Sequence, residues 1–495
     1  MSENKHKKAQ EEKHSNVKYA VVGVLSVVLV AFLLVWNTGI IQRNAAAVTV
    51  DGEKYSAADV QYYLRSLMLQ NGISSTSSLK SMTMNSTTGE TMYDYLKSQA
   101  VERLVTCAAL DKQAAEEGFA MSDDTQTQVD DQLKQLEEQW VSAGYQSRDA
   151  FIRANYGPYM TYDRLVELFT RDMRVNEYST QFSDGLSYSD ADYEKYYQEN
   201  ANTLDEYTLT QFVFNATVDT VDADGNAIEM TDDEKAAALE QAKTEKQAQA
   251  QELQSKLEAG EDPAQLAQEY ADQLTGDPSI SQVMSGSSVA SASYAQWAQD
   301  TARQKGDVTL SEYDAGPSSY YYYVVRFEGR ARSDENTATV RHILVAAEQD
   351  EGASEPTEDQ YAAAKTKAEE LLEQWKSGPA TQESFAELAK ANSADTGSAA
   401  DGGLITDIYS GSGYVSTFTD WALDAARRPG DTGIVQNTGS SVKGWHIMYF
   451  VGRDGDPVWK LTAKTAMENN DYTTWQNAAK EKVSYTTGLG LKFVQ

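Results

Sequence analysis

The sequence predicts an α+β protein that opens with a transmembrane helix, continues through a helical region and ends in two related α+β modules. Three observations predict this class: an uncharged run near the N-terminus, a long stretch of helical apolar spacing after it, and an internal repeat in the second half. At 495 residues the chain exceeds what one hydrophobic core serves, so we expect several domains.

The N-terminal run covers residues 19–42, in which no side chain is charged. At a rise of about 1.5 Å per residue, the run is long enough for a hydrocarbon core of about 30 Å. Five lysines precede it and only Arg43 follows closely, so the positive-inside rule places residues 1–18 in the cytoplasm and the rest of the chain outside. A signal peptide cleaved near residues 45–47 is the alternative, and the length of the run favours a retained, single-pass anchor in the cell membrane.

The composition of the chain limits its partners. A formal charge of −33 excludes a general nucleic-acid-binding role, because the phosphate backbone would be repelled. The hydrophobic fraction of 41% is sufficient for folded cores. Cys107 is the single cysteine, so no disulfide can form within the chain, and its apolar neighbours predict a small core residue.

Residues 43–203 are predicted to form a mainly helical domain. A short strand-like run ends in a turn at Asp51 and Gly52, and Ser56 then has the position of a helix N-cap. Beyond residue 92 glycine is rare, and apolar side chains recur at three- and four-residue spacings. Periodicity leaves two interpretations of this domain open, a structural spacer and a surface that holds other chains.

The second half of the chain contains an internal repeat. Residues 295–307 match residues 419–431, and each copy then ends in an aromatic, strand-like run that finishes with Gly-Arg. The repeat predicts two α+β modules of common ancestry, module one at residues 204–332 and module two at residues 333–456. Residues 457–495 remain as a C-terminal segment.

Two histidines are the strongest candidates for chemistry. The chain has four, and only His342 and His446 lie beyond the predicted anchor, each in a short strand-like run. Paired strands would bring their imidazoles side by side. Lone histidines in strands are more often structural, and a metal site of these two histidines with Asp395 is a further alternative. The sequence has no nucleophile-elbow, zinc-protease or phosphate-loop motif beyond the anchor.

The segments around these histidines resemble motifs of the parvulin-type peptidyl-prolyl isomerases. The resembling segments stand in the family's order within residues 337–454, at residues 340–345, 385–395, 402–404, 430–435 and 444–448. Together with the anchor and the helical region, the whole chain resembles extracytoplasmic foldases of the PrsA/SurA type. In module one, Gln211 and Tyr323 stand at the two histidine positions, which implies a degenerate, catalytically silent copy.

The resemblance implies the site residues of module two. Its catalytic positions correspond to His342, Asp395, Ser441 and His446. Its apolar pocket for the proline ring corresponds to Leu404, Tyr409, Tyr414 and Phe418. No cofactor and no metal are implied. Rotation about an Xaa-Pro bond meets a barrier of about 18–20 kcal/mol from amide resonance, but it makes and breaks no covalent bond.

The implied function is that of a foldase, a prolyl isomerase and chaperone that assists exported polypeptides at the outer face of the membrane. The implied partners are unfolded or partly folded chains with Xaa-Pro bonds, the membrane, and a second copy of the chain in a homodimer. The C-terminal segment would pack on the N-terminal domain, as in such foldases. Two alternatives remain: a non-catalytic, membrane-anchored holdase, and a cell-surface module that uses the parvulin fold to bind other proteins.

Overall fold

The computed structural model describes residues 40–85, 88–218, 228–350, 352–437, 439 and 442–495. Within these ranges the chain divides into two compact units. The first consists of residues up to Ser187 together with Glu468–Gln495, and the second of Tyr188–Met467. The domain boundaries expected from the sequence stay predictions.

The predicted fold class is wrong in its transmembrane helix. Among the described residues, no helix is both long and apolar enough to cross a membrane. The predicted cytoplasmic tail and most of the predicted anchor lie outside the described residues. Where the anchor segment enters them, it forms the five-residue helix α1, Ile40–Asn44, which includes the polar residues Gln42 and Arg43. Five residues at a rise of about 1.5 Å each are too short for a hydrocarbon core of about 30 Å. The described residues have a mixed α+β fold.

The first unit is mainly helical. Its helices beyond α1 are α2 (Ala57–Gln70), α3 (Thr76–Ser81), α4 (Met92–Glu116), α5 (Asp123–Ser142), α6 (Arg148–Tyr156) and α7 (Tyr162–Asp184). The hydroxyls of Thr91, Ser122 and Thr161 accept backbone N–H groups at the starts of α4, α5 and α7. Such N-caps stabilise a helix by about 1 kcal/mol each, and they decide where these helices begin.

The first unit also contains a small sheet that joins both ends of the described chain. Its strands are β1 (Ala46–Val50), β2 (Glu53–Ser56) and β13 (Tyr485–Thr487), with β3 (Thr83–Asn85) and β4 (Glu90–Thr91) as a separate pair. Strand β1 lies in the middle, where Val48 is opposite Thr487. Val48, Cys107 and Ala479 belong to one buried core, so the sequence after residue 468 completes the fold of this unit.

The second unit contains two four-stranded antiparallel sheets. Its first helix is α8 (Asp190–Leu204), and helix α16 (Val458–Glu481) continues from this unit into the first. Module one has β5 (Asp205–Thr217), α9 (Asp232–Glu258), α10 (Pro263–Glu269), β6 (Ser279–Ser285), α11 (Gly286–Ala290), α12 (Ala295–Ala298), β7 (Val308–Asp314) and β8 (Ser319–Arg332). Module two has β9 (Ala338–Ala346), α13 (Glu358–Lys376), α14 (Gln382–Asn392), β10 (Leu404–Ile408), α15 (Ser416–Leu423), β11 (Thr432–Asn437) and β12 (Gly444–Gly452). The sheet orders β6-β5-β8-β7 and β10-β9-β12-β11 are equivalent, in line with the sequence repeat.

The sheet of module two is buried on both faces. Side chains alternate between faces along a strand, so neighbouring residues of β9 enter different cores. Ile343 and Val345 pack with the helices α13 and α14. Val340, together with Met448 and Phe450 of β12, packs with helix α15 on the other face. This second face carries the two histidines.

Candidate active site in module two

The register of β9 and β12 decides how the two histidines meet. His342 lies opposite Met448, and His446 lies opposite Leu344, so the histidines are diagonal neighbours on one face of the sheet. Diagonal positions are within reach of aromatic side chains. The Nδ1 atoms of His342 and His446 are 3.0 Å apart, and both side chains are buried.

A turn after helix α14 brings a carboxylate and a hydroxyl to the other side of the His342 ring. Nε2 of His342 is 2.9 Å from Oδ2 of Asp395 and 3.0 Å from Oγ of Ser398. The Ser398 hydroxyl lies 2.5 Å from the same carboxylate oxygen. The backbone N–H of Gly397 donates to the other oxygen, at 3.1 Å. Asp395, Ser398 and both histidines therefore form one hydrogen-bonded network.

The environment of the network decides its charge state. Burial lowers the pKa of His446 to about 3, with a smaller contribution from His342. Burial also lowers the pKa of His342, against the opposing effect of Asp395. Partial burial raises the pKa of Asp395, but hydrogen bonds from Ser398 and Gly397 outweigh it, so the net shift is downward. At neutral pH the network thus consists of two neutral imidazoles and one carboxylate.

An aromatic wall stands over the histidine pair. The Phe418 ring is 2% exposed and meets both imidazoles edge-on, with centroid distances of 5.5 Å to His342 and 5.2 Å to His446. Tyr414 lies 5.2 Å from Phe418 and is 44% exposed. Phe418 also belongs to the core beneath helix α15, so it supports the site and the fold together.

Two other predicted pocket residues lie on strand β10 or directly after it. Leu404 is the first residue of β10 and is paired with Arg341 of β9. Tyr409 follows the end of β10, with its ring over Gly411. Ser441 lies outside the described residues. The hydroxyl that the structure places in the network is Ser398, which the motifs did not single out. The only sequence signal for it is the turn-forming run Asp395-Thr396-Gly397-Ser398.

Two family models match the chain. Residues 10–178 match the SurA-like N-terminal domain, and residues 342–452 match the PPIC-type PPIase domain. Residues 342–452 are a parvulin-type peptidyl-prolyl isomerase domain. The matches confirm the predicted isomerase and the predicted SurA-type region in front of it. No curated protein sequence matches the chain significantly.

Solved structures of PrsA proteins are similar to the chain. The peptidylprolyl isomerase PrsA from Bacillus anthracis is 22% identical, with a TM-score of 0.19, and the match covers 30% of this chain and 59% of that one. PrsA from Bacillus subtilis is 14% identical, with a TM-score of 0.27 and coverages of 82% and 87%. The foldase protein PrsA from Streptococcus pneumoniae is 12% identical, with a TM-score of 0.25 and coverages of 83% and 92%.

Two glycines anchor the loop that leads into β10 of the isomerase domain. Gly402 and Gly403 have φ angles of 68° and 71°. The N–H of His342 donates to the carbonyl of Gly403 at 2.8 Å. A Cβ at residue 403 would stand 2.0 Å from the carbonyl oxygen of His342. The loop can therefore lie against strand β9 only because residue 403 has no side chain.

Module one has different residues at the equivalent positions. Gln211 lies opposite Val325, and Tyr323 is two residues before Val325 on the same strand. Gln211 and Tyr323 are therefore diagonal neighbours, as the two histidines are in module two. Nε2 of Gln211 donates to Sδ of Met284 at 2.8 Å. The N–H of Thr275 donates to the carbonyl of Val213, as the N–H of Ala394 does to Leu344 in the isomerase domain. This equivalence puts Gly276 at the place of Asp395.

The chemistry of the described residues of the isomerase domain fits a reaction in which no covalent bond is made or broken. They supply neutral imidazoles, a carboxylate and an aromatic wall. Among the residues that the structure describes, no group of three or more His, Cys, Asp or Glu side chains is placed to hold a metal ion. A twisted amide needs an apolar grip on the proline ring and polar groups placed in advance, and the residues of this site have that chemistry.

Proposed function

We propose that the chain is a foldase for exported polypeptides, in which the isomerase domain accelerates Xaa-Pro rotation and the SurA-like domain holds unfolded segments. The observation that carries the catalytic half is the buried network of His342, His446, Asp395 and Ser398 beneath Phe418. A buried polar network whose members are hydrogen-bonded to one another keeps its geometry, which is what selective stabilisation of a transition state requires.

The proposed mechanism is binding of the twisted amide. The proline ring would contact Tyr414, whose exposed ring lies beside the buried Phe418, and this contact would remove apolar surface from water. As the amide twists, its nitrogen loses conjugation and becomes a better hydrogen-bond acceptor, while its carbonyl loses the stabilisation of resonance. Because the two imidazoles are neutral and hydrogen-bonded to each other, they present fixed dipoles rather than a strong base.

The test of the catalytic half is proline-limited refolding of a model protein with the described part of the chain, residues 40–495. We expect His446→Ala to lower kcat/KM at least tenfold, which corresponds to about 1.4 kcal/mol of transition-state stabilisation. Suppression of aggregation should persist in this variant. The matched control is Tyr323→Ala, which removes the side chain at the equivalent position of module one and should leave the rate unchanged.

Absence of acceleration by the wild-type protein on several Xaa-Pro peptides would rule out the isomerase. The holdase would then be the remaining function.

The chaperone half is supported by an apolar groove in the first unit. A cavity of ≈ 390 Å³ lies between helices α2, α5, α6 and α7. Its apolar and aromatic walls include Tyr62, Leu69, Leu133, Leu136, Phe151, Tyr156, Leu165 and Phe169. Leu69 is 72% exposed at this groove. An exposed apolar groove fits the side chains that an unfolded polypeptide has not yet buried.

Replacement of Leu69 tests this surface. We expect Leu69→Asp to weaken suppression of aggregation several-fold without changing isomerisation of a short peptide. Leu489→Asp is the matched control, because Leu489 is in the same unit, is also 72% exposed and does not line the groove. Equal effects of the two substitutions would contradict a client-binding role for the groove.

The proposed location is outside the cytoplasm, at the outer face of the cell membrane. Its support is the sequence alone: an uncharged run at residues 19–42 with five lysines before it. Protease added to intact spheroplasts should digest the isomerase domain, and resistance to digestion would contradict this location. A membrane attachment and a homodimer belong to the same proposal. Cell fractionation tests the attachment, and sedimentation of residues 40–495 tests the dimer.

A further inference from the structure

We propose that Ser398 is a positioning residue of the isomerase, whose hydroxyl orients the carboxylate of Asp395 and thereby holds His342 in a single tautomer. The proposal rests on the isomerase function of the domain. It concerns a residue outside the catalytic positions that the family resemblance implied.

The first support is the proton count around Nε2 of His342. Asp395 Oδ2 lies 2.9 Å from this nitrogen, and Ser398 Oγ lies 3.0 Å from it. A carboxylate can only accept, so the Ser398 O–H donates to Asp395 across their 2.5 Å contact. The lone pairs of Ser398 then face Nε2. Both groups near Nε2 are acceptors, and the proton of His342 therefore belongs on Nε2.

The second support is what this tautomer does to His446. A neutral imidazole carries one N–H, so Nδ1 of His342 is bare when Nε2 is protonated. Nδ1 of His446 lies 3.0 Å away and must then donate its proton. Nε2 of His446 is left as the unprotonated nitrogen. Ser398 thus acts on both histidines through Asp395, whose carboxylate it holds opposite Nε2 of His342, although it contacts only the first ring.

The third support is the way the backbone holds Ser398. Ser398 is 4% exposed and lies immediately before the 3₁₀ turn Ala399–Asp401. Its carbonyl accepts the N–H of Gly403 at 2.8 Å, and the carbonyl of Gly403 accepts the N–H of His342 at 2.8 Å. Ser398 and His342 are therefore connected through the backbone as well as through their side chains. Because both the backbone and the side chain of Ser398 are held by hydrogen bonds, its hydroxyl loses little conformational entropy when it orients the His342 imidazole.

The test compares Ser398→Ala, Ser398→Thr and Ser393→Ala in residues 40–495. Ser393 is the matched control, because its hydroxyl accepts the N–H groups of Leu344 and Asp395 and so stabilises the same turn without a hydrogen bond to His342. The deciding readout is the ¹⁵N chemical shifts of the two imidazoles, which report the tautomers whether or not the protein is active.

Without the Ser398 hydroxyl, only the hydrogen bond from Gly397 holds the Asp395 carboxylate in place, and the carboxylate can turn away from Nε2 of His342. We therefore expect Ser398→Ala to lower kcat/KM about tenfold, mainly through kcat, and to average the ¹⁵N shifts of His342 between the two tautomers. Ser398→Thr restores the hydroxyl and should recover most of both effects. Ser393→Ala should lower the denaturation midpoint and leave the ¹⁵N shifts as in the wild type.

The pH profile gives an independent readout. The titratable groups near Asp395 are His342 from β9, His446 from β12 and Tyr414 from the segment before α15. Without the Ser398 hydrogen bond, the pKa of Asp395 rises, so activity should fall off at a higher pH on acidification. Wild-type tautomer shifts in Ser398→Ala, or equal loss of activity in Ser398→Ala and Ser393→Ala at equal loss of stability, would overturn the proposal. An inactive wild type would instead overturn the proposed function, and the ¹⁵N shifts would still test Ser398.

Discussion

Modules one and two have the same sheet order but different residues at the centre of one face. In module two the diagonal pair is His342 and His446, joined directly at 3.0 Å. In module one the pair is Gln211 and Tyr323, and Gln211 is hydrogen-bonded to Met284 instead. Both sheets have extensive buried cores. The fold therefore does not depend on the histidines, and the chemistry is an addition to a scaffold that is stable without it.

The comparison also distinguishes positions that serve the packing of the core from positions that serve the isomerase site. The repeat aligns Tyr294 of module one with Phe418 of module two. Tyr294 immediately precedes helix α12, Phe418 lies on helix α15, and each ring belongs to a buried core. The aromatic position is therefore retained for the core. The carboxylate position is not retained, because Gly276 stands where Asp395 does. Module one therefore keeps the buried aromatic side chain of the core but lacks the histidines and the carboxylate that would polarise an amide.

The largest expected effect is at Gly403 of the isomerase domain, which lies close against strand β9. Gly403→Ala should destabilise this domain by about 4 kcal/mol, because a Cβ would meet the His342 carbonyl and the φ angle is positive. Urea denaturation followed by tryptophan fluorescence measures the loss. Gly413→Ala is the control, since its φ angle is 79° but nothing lies within 4 Å of its Cβ. A similar loss in both variants would show that φ alone matters.

The next effect is a difference in acid sensitivity between the modules. Burial lowers the pKa of His446 to about 3 in the folded chain, against about 6.5 when unfolded. The unfolded state therefore binds the proton first, and the stability that is complete above pH 6.5 is lost as the pH falls towards 3. We expect a loss of about 2 kcal/mol between pH 7 and pH 5.

Hydrogen exchange, corrected for intrinsic rates, measures this loss at the amides of β9 and β12. The amides of β5 and β8 in module one should show no such loss, and His446→Gln should remove it from module two. A pH dependence that survives this substitution would contradict the assignment to His446.

A smaller effect is expected at the start of the edge strand of module one. Ser281 has a φ angle of 54° in β6, which takes the place in its sheet that β10 takes in module two. Because a Cβ is unfavourable at this φ, Ser281→Gly should stabilise module one by about 0.5–1 kcal/mol. Thermal denaturation measures the change. A decrease in stability would mean that the Ser281 side chain contributes more than its backbone strain costs.

The smallest expected effect is from grafting the histidines alone. In a His446→Ala background, Gln211→His with Tyr323→His should restore no isomerase activity, because module one has no counterpart of Asp395 to orient the first ring. Addition of Gly276→Asp tests that reason, since aspartate tolerates the φ angle of 69° at this position. Peptide isomerisation assays give the result. Activity with the histidines alone would show that the carboxylate is dispensable.

Much of the scaffold could be predicted from the sequence. The repeat at residues 295–307 and 419–431 predicted two related modules, and strand-like runs around His342 and His446 predicted their place on strands. These features are local, because they depend on periodicity and on spacing along the chain. The predicted membrane-spanning helix was wrong, because no helix among the described residues is long and apolar enough to cross a membrane. Hydropathy along the sequence identifies an apolar segment, but it does not determine the length of the helix that forms there.

The sequence by itself determined the isomerase domain and its two histidines, and it predicted a silent copy before them, since each depends on residue type at a fixed place in a motif. Only the tertiary structure decided that Ser398 completes the network, that Phe418 is buried while Tyr414 remains exposed, and that Gly276 replaces the carboxylate. The reason is distance. Ser398 is 56 residues from His342, and their contact at 3.0 Å depends on where the turn after α14 closes against β9, which no local pattern specifies.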